Sequence, residues 1–412
     1  MTELERLIKE LCPNGVEHLP LSNCVKYIRG KGLSKSDKGT GNNPIVLYGE
    51  LYTTYGDYIN EIKSFASDDA VKSSVKVEKN SILLPISSTT KEAQIGKASV
   101  LKCVETYLGG DAVCLVPNKG IYPDFLMYLI NGKSFEISKM KCVKGTTIQH
   151  LDPKGLLNIK IPVPPLEVQR EIVRILDNFT ELTAELTAEL TARKQQYEYY
   201  SDAILTFEDG VSLVELSDLC TIGDGLHGTP KYNENGEYYF INGNNLSNGK
   251  IVVDAKTKRI TKEEYDKIKV PLGETLLFSI NGTIGNIAIY QGEKIALGKS
   301  AAYFNVISDK LLLKYLFYIL QSKQAMAYFE KNLTGSTIKN LGLKALRNYQ
   351  IFLPTIDEQK RIVDILDRFD SLCNDISTGL PAEIEARQKQ YEYYRDKLLT
   401  FKELSVWVSI TS

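Results

Sequence analysis

ARKQQYEYYSDAILTF at residues 192–207 returns as ARQKQYEYYRDKLLTF at residues 386–401, identical at 11 of 16 positions. Upstream of each copy a second pair also matches, QREIVRILDNF at 169–179 with QKRIVDILDRF at 359–369. The offset is 190 from Gln169 to Gln359 and 194 from Ala192 to Ala386, so the second copy carries four extra residues between its two parts. Each duplicated segment follows a long block of unlike sequence. Two similar helical segments, each behind a different block, describe one frame carrying two different working heads.

Both segments read as helix from pattern alone. Apolar residues fall at Ile172, Ile175, Leu176, Phe179, Leu182, Leu186 and Leu190, a stripe of helical period. Pro165 suits a first helical turn, and Thr355 with Glu358 has the spacing of a capping box. Helix through 166–207 would reach about 60 Å. Neither stripe is covered by its own neighbours in sequence, which predicts that the two helices pack against each other antiparallel. Inside the first, TELTAELTAELTA at 180–192 repeats the unit TAEL. The unit is made of good helix formers, and each copy adds about 6 Å of rise and about 40° of rotation. The second copy has CNDISTGLPAEIEA there, where Gly379 and Pro381 predict a break and a restart.

The heads share a faint skeleton. PNGVEHLPLSN (13–23) matches EDGVSLVELSD (208–218), and NSILLPIS (80–87) resembles ETLLFSI (274–280), both of the latter reading as buried strands. DFLMYLI (124–130) parallels KYLFYIL (314–320) as an apolar helix, and VKGTTIQHLDPKGLLNIKIPVP (143–164) parallels LTGSTIKNLGLKALRNYQIFLP (333–354). The expected fold is α+β, two mixed α/β heads with turn-rich strands joined by two long helices in an internal pseudo-two-fold repeat. The expected segments are 1–155 and 208–350 for the heads and 156–207 and 351–412 for the helical regions.

Composition excludes several classes. The chain of 412 residues is 43% hydrophobic and 25% charged, as ordinary globular proteins are. Its longest apolar run, LLLKYLFYIL at 311–320, contains Lys314 and is too short for a membrane span. MTELERLIKE has no signal-peptide character, so a cytoplasmic location is expected. Seven cysteines form no C-x-x-C pair and three histidines lack zinc spacing, so no metal and no cofactor is expected. Net charge is −1, but local clusters matter more for nucleic acid than the sum. Lys26, Arg29, Lys31, Lys35 and Lys38 face only Asp37 within 26–38, and Lys250, Lys256, Lys258, Arg259 and Lys262 face only Asp254 within 250–262.

An enzyme reading finds no residues to carry it. VPPL at 163–166 lacks the flanks of an N/D-P-P-[FY] methyltransferase motif, and IGDGLHG at 222–228 lacks the GK[ST] ending of a nucleotide loop. The segments PPLEVQREIVRIL and PTIDEQKRIVDIL, the QYEYYRDKLLTF-type endings and the TAEL spacer, taken over the full length, resemble the specificity subunit of type I restriction-modification systems. That resemblance implies two target-recognition domains, each reading half of a bipartite double-stranded DNA site. It also implies a non-catalytic role, helices that fix the gap, docking of two methyltransferase subunits, and two endonuclease/translocase subunits joining them. A rival reading, a coiled-coil scaffold whose heads bind proteins, differs from it in the absence of sequence-specific DNA binding.

Amides suit adenine and basic groups suit guanine in the major groove, while hydroxyls are permissive. On that chemistry the candidates in head one are Lys26, Arg29, Lys31, Lys35, Tyr48, Glu50, Tyr52, Ser87, Thr89, Lys91, Lys144, Thr146, Thr147 and Gln149. In head two they are His227, Thr229, Lys231, Asn242, Asn244, Asn245, Asn281, Thr283, Ser336, Thr337, Lys339 and Asn340. The matched loops VLYGE (46–50) and FINGN (240–244) and the matched GTT and GST turns stand out, because they recur with altered polar side chains. Tyr197, Tyr199, Tyr200, Tyr391, Tyr393 and Tyr394 are the candidates for partner binding.

Overall fold

A computed structural model describes residues 2–89, 94–207, 210–335, 339–374 and 379–404. The chain forms two compact units that do not follow chain order: Met1–Glu185 with Ile384–Ser412, and Leu186–Glu383. Each unit therefore holds one head, the root of the helix that leaves it, and the end of the other helix.

In the first unit the buried strand Ile82–Pro85 lies between Ala112–Pro117 and Ser99–Leu101, with Val25–Arg29 and Tyr58–Ile59 at the edges. A second sheet orders Ser64–Ala66, Asn43–Val46, Thr106–Leu108 and Val75–Val77, and its central pair is parallel. The second unit repeats the plan with fewer strands. Thr275–Ser279 lies between Ala301–Val306 and Ile287–Ile289, with Cys220–Asp224 outside. Its other sheet again centres on a parallel contact, Tyr238–Ile241 beside Ile295–Leu297. Both strands expected to be buried are buried at every residue, which is why they read as continuous apolar runs rather than alternating ones.

Each head is closed by pairing its first strand with its last, Glu17–Pro20 with Lys160–Val163 and Ser212–Glu215 with Gln350–Leu353. The expected apolar helices are Pro123–Ile130 and Leu313–Ile319. Residues 124–130 are all buried, as befits a helix apolar on every side. In the second unit Phe278 packs edge-on to Phe304 and Phe329 at 6.2 and 5.4 Å.

The first long helix runs unbroken from Leu166 to Ile204. It stops three residues before the expected 207, and Phe207 turns aside to pack against Phe352 at 5.6 Å. Its buried residues are Val168, Gln169, Ile172, Val173 and Leu176. The TAEL stretch has none, so propensity holds it, helped by threonine hydroxyls folded back on the preceding turn. Thr183 Oγ1 donates to Phe179 O at 2.9 Å and Thr191 Oγ1 to Thr187 O at 2.9 Å. The distal arm is two helices, Ile356–Asn374 and Leu380–Leu398, broken beside Gly379 as expected. Thr355 Oγ1 accepts from Glu358 N at 3.4 Å, but the Glu358 carboxylate turns to Arg361, so the cap is one-sided.

Helix pairing is antiparallel within each unit. Phe179 stacks on Tyr394 at 5.6 Å in the first, and Tyr197 packs on Phe369 at 6.2 Å in the second. The arriving helix also caps a helix of the head it reaches. The Asp396 carboxylate accepts from Lys133 N at 3.3 Å and that of Asp202 from Lys323 N at 3.1 Å, each at the first residue of a short helix. Past its helix the chain end of the first unit is clipped to head one. Val16 N donates to Lys402 O and Leu404 N to Val16 O, both at 2.9 Å. Gly15 makes this approach possible at φ +102, since a Cβ there would lie 2.4 Å from Lys402 O.

Candidate nucleic-acid interface

The matched GTT turn of head one is a hairpin tip. In head one Val143–Lys144 pairs with Gln149–Leu151, and the hairpin continues onto Ser87–Ser88, with Gln149 opposite Ser88 and His150 opposite Ser87. The tip needs glycine: Gly145 has φ +98, and a Cβ there would lie 2.1 Å from Ile148 O. Thr146 and Thr147 are exposed at that tip. Behind it the Ser87 hydroxyl is bonded to His150 Nδ1 at 2.8 Å, and Tyr52 donates to Ser87 O at 2.9 Å. Burial pushes the Tyr52 phenol well above the usual tyrosine range, so it remains a donor at neutral pH.

Head two builds the same hairpin from Leu333–Thr334 and Asn340–Leu341, with Gly335 at φ +88. Asn281 bridges to Asn340, and its Nδ2 donates to Asn340 Oδ1 at 3.5 Å. Next to it the FINGN loop closes on Ser300. The Ser300 hydroxyl donates to Asn242 Oδ1 at 2.9 Å and accepts from Gly243 N at 3.0 Å. A Cβ on Gly243 would fall 1.9 Å from Ser279 Oγ, and Ser279 is itself 3.2 Å from the Thr283 hydroxyl. Asn242, Asn281, Thr283 and Asn340 are thus brought together around Ser279 and Ser300. Lys339 is exposed on the hairpin and Asn244 beside Gly243. His227 and Thr229 are exposed on a loop tied to the Ser300 turn through Leu226 and Gly298, and His227 is hydrogen bonded to Asp224 at 2.7 Å. Lys231 follows on that loop, with its backbone bonded to Glu264.

Besides Ser87, Tyr52 and Asn242, whose bonds are given above, Glu50 and Asn245 are used inside the fold. Glu50 is buried, and its carboxylate accepts from Leu47 N and Lys38 Nζ, each at 3.0 Å, and from Ser64. It shapes the VLYGE turn. Asn245 accepts from Asn242 N and donates to Val252 O, holding the FINGN turn in the same manner. Lys91, Ser336 and Thr337 lie outside the described residues.

Head one surrounds its hairpin with charge. A cavity of about 610 Å³ is walled by Lys35, Lys38, Tyr48 and Asp111 among others. Another, of about 330 Å³, has Arg29, Lys144, His150, Asp152 and again Asp111 in its wall. Lys144 pairs with Asp152 at 3.0 Å and helps hold that carboxyl below the usual range. Lys31 and Thr89 are exposed. Lys26 is exposed at the opposite end of its strand from Arg29, about 10 Å away, and is not gathered with the rest. His150, Asp111 and Ser300 were not among the sequence candidates. The signal for the latter two was the match of GGDA at 109–112 with GKSA at 298–301, which puts Asp111 and Ser300 in one position.

The tyrosine pairs at the helix ends divide into packed and open members. Tyr197 and Tyr391 are half-buried, and burial pushes each phenol up to about 12. Tyr199 is 70% exposed and Tyr393 62%, each edge-on to the next tyrosine at 5.3 Å. Among the described residues no group of side chains could hold a metal, and no helix is long and apolar enough to cross a membrane.

The family model described as the type I restriction modification DNA specificity domain matches residues 13–193 and again 208–386. A type I restriction enzyme specificity subunit of Escherichia coli is 39% identical over 263 residues, 59% of this chain and 63% of that protein. A putative type I specificity subunit of Haemophilus influenzae is 36% identical over 290 residues, covering 67% and 72%. Among solved structures, the S subunit of the type I restriction-modification system of M. genitalium superposes with a TM-score of 0.51 at 13% identity, covering 93% of this chain and 96% of that one. A chain from a structure of type I complex assembly and conformational transition reaches 0.63 at 19% identity, covering 94% and 98%. At those identities the two structures speak for the fold alone. The two family matches take in each head together with most of the helix that follows it, and the chain belongs to the type I restriction-modification DNA specificity family.

Proposed function

We propose that each head reads one half of a bipartite double-stranded DNA sequence, and that the long helices set the unspecified gap between the halves. The observation that carries this is the duplicated hairpin. Both heads present a hairpin whose first strand ends on a positive-φ glycine and which pairs beside the end of a buried strand, and around it the scaffold is kept while the polar groups change. In head one these are Arg29, Lys144, Thr146, Thr147 and His150, and in head two Asn242, Asn281, Thr283 and Asn340. A shared scaffold with different hydrogen-bonding groups fits two readers of different bases. Most of the basic residues position the protein on phosphate rather than specify.

The chain itself is non-catalytic and acts in a complex with two methyltransferase subunits, which two endonuclease/translocase subunits join. The exposed Tyr199 and Tyr393, at equivalent places on the two arms, are the proposed docking points. The test is to co-express the chain with its methyltransferase partner and map methylated adenines in genomic DNA. One bipartite motif, absent when this chain is omitted, is the expected result. Methylation by the chain alone, or DNA binding that salt abolishes equally for all sequences, overturns the reading.

A further inference from the structure

The root of each long helix is held to its head in the same way in both units, by side chains with no direct part in reading DNA. Gln169 and Gln359 are fully buried. The Gln169 side-chain oxygen accepts from Tyr122 N at 2.7 Å, and its amide donates to Gly120 O at 2.9 Å and Pro164 O at 2.7 Å. Gln359 accepts from Leu312 N at 2.9 Å and donates to Lys310 O at 2.7 Å and Pro354 O at 2.9 Å. Each glutamine thus ties the start of a long helix to the start of the apolar helix of its head.

Eight residues on comes a second tie to that same helix. Asp177 accepts from Tyr128 at 2.6 Å and from Tyr58 at 2.8 Å. Asp367 accepts from Tyr318, and Lys314 Nζ lies 3.1 Å from it. The two points are about 12 Å apart along the helix axis. One point would leave a pivot, whereas two fix a direction. For the first arm the requirement is strict, because on a rod of 39 residues, about 58 Å long, a tilt of only about 3° at the root moves the far end by about 3 Å, close to one base-pair step.

We infer that Gln169 with Asp177, and Gln359 with Asp367, are positioning residues that make the gap length single-valued, an inference that rests on the spacer role proposed above. The second tie is removed by Tyr318→Phe with Lys314→Met in head two and by Tyr58→Phe with Tyr128→Phe in head one. The first is removed by Gln169→Met, of similar length. Each variant is expressed with the methyltransferase subunits, and methylated adenines are mapped across genomic sites whose half-sites are correct and whose gap is right or off by one base pair. The expected result is a rise of about tenfold or more in methylation at off-by-one sites, with both half-site sequences kept. A merely structural role would lower methylation at all sites together and leave the gap distribution unchanged. Gaps as sharp as the wild type in folded tyrosine variants overturn the inference even if Gln169→Met fails to fold. A wild-type complex with no bipartite motif overturns the proposed function instead.

Discussion

At the scale of single residues the two heads differ in the kind of contact they offer. Lys144 is exposed beside the hairpin of head one and its partner Asp152 is surface-facing, so its charge is available to phosphate. Lys144→Ala is expected to weaken binding of the assembled complex by a similar factor on every sequence. It should also reduce the slope of log affinity against log salt by about 1, measured by titration at several salt concentrations. Asn281 is a different case, because its amide is aligned by Asn340. Asn281→Ala should relax one position of the head-two half-site, losing about 1–3 kcal/mol of discrimination there, and leave the head-one half-site intact in a methylation map. Residue types alone could nominate Asn281, since an amide in a turn after a buried strand is visible in sequence. They could not demote Glu50, whose carboxylate is consumed by Leu47 N, Lys38 and Ser64. Those partners lie 3, 12 and 14 residues away, and only the folded chain reveals that they converge. The buried role of Gln169 and Gln359 was hidden for the same reason. A polar residue in an amphipathic helix reads as surface until the carbonyls it satisfies are known.

At the scale of elements the TAEL stretch is a piece of helix with no buried side chain, so its length can change without disturbing a core. Deleting Thr183–Leu186 removes about 6 Å and about 40°. One base pair of DNA advances about 3.4 Å and turns about 34°. The rotation therefore matches one base pair, and the deletion is expected to keep both half-sites while shortening the gap by one base pair in a methylation map. An unchanged gap would mean that this helix does not set the spacing. Elements were the most legible level of the sequence. Period-3.6 apolar stripes located the long helices, unbroken apolar runs located the strands Ile82–Pro85 and Thr275–Ser279, and Gly379 located the break. The helix end was less legible, since Phe207 leaves the helix for Phe352, a contact that no local pattern announces. The short edge strands, such as Tyr58–Ile59 and Ser64–Ala66, exist through pairing with distant segments and had no period of their own.

At the scale of the whole molecule the repeat predicts that the heads are exchangeable modules. Replacing residues 16–150 with the matching block of a relative should change one half of the recognised sequence and spare the other, because independent sites contribute additively. A methylation map in which both halves changed would show a single shared site. The duplication that suggests this was visible in sequence from the first reading, but the partition of the chain was not. Linear order suggests head, helix, head, helix, whereas residues 384–404 belong with the first head. The clip that joins Val16 to Lys402 and Leu404 holds the end of the distal arm to head one by hydrogen bonds rather than by a chain link. Covalent order is then separable from spatial order. The gene could be opened between the codons for residues 208 and 209 and its two ends joined by a flexible Gly/Ser linker after residue 404, giving a chain that begins with what is now the second head. Permutants succeed where the new opening cuts few contacts. This one should direct methylation to the same bipartite sequence with the same gap, making "first" and "second" labels of transcription rather than of architecture.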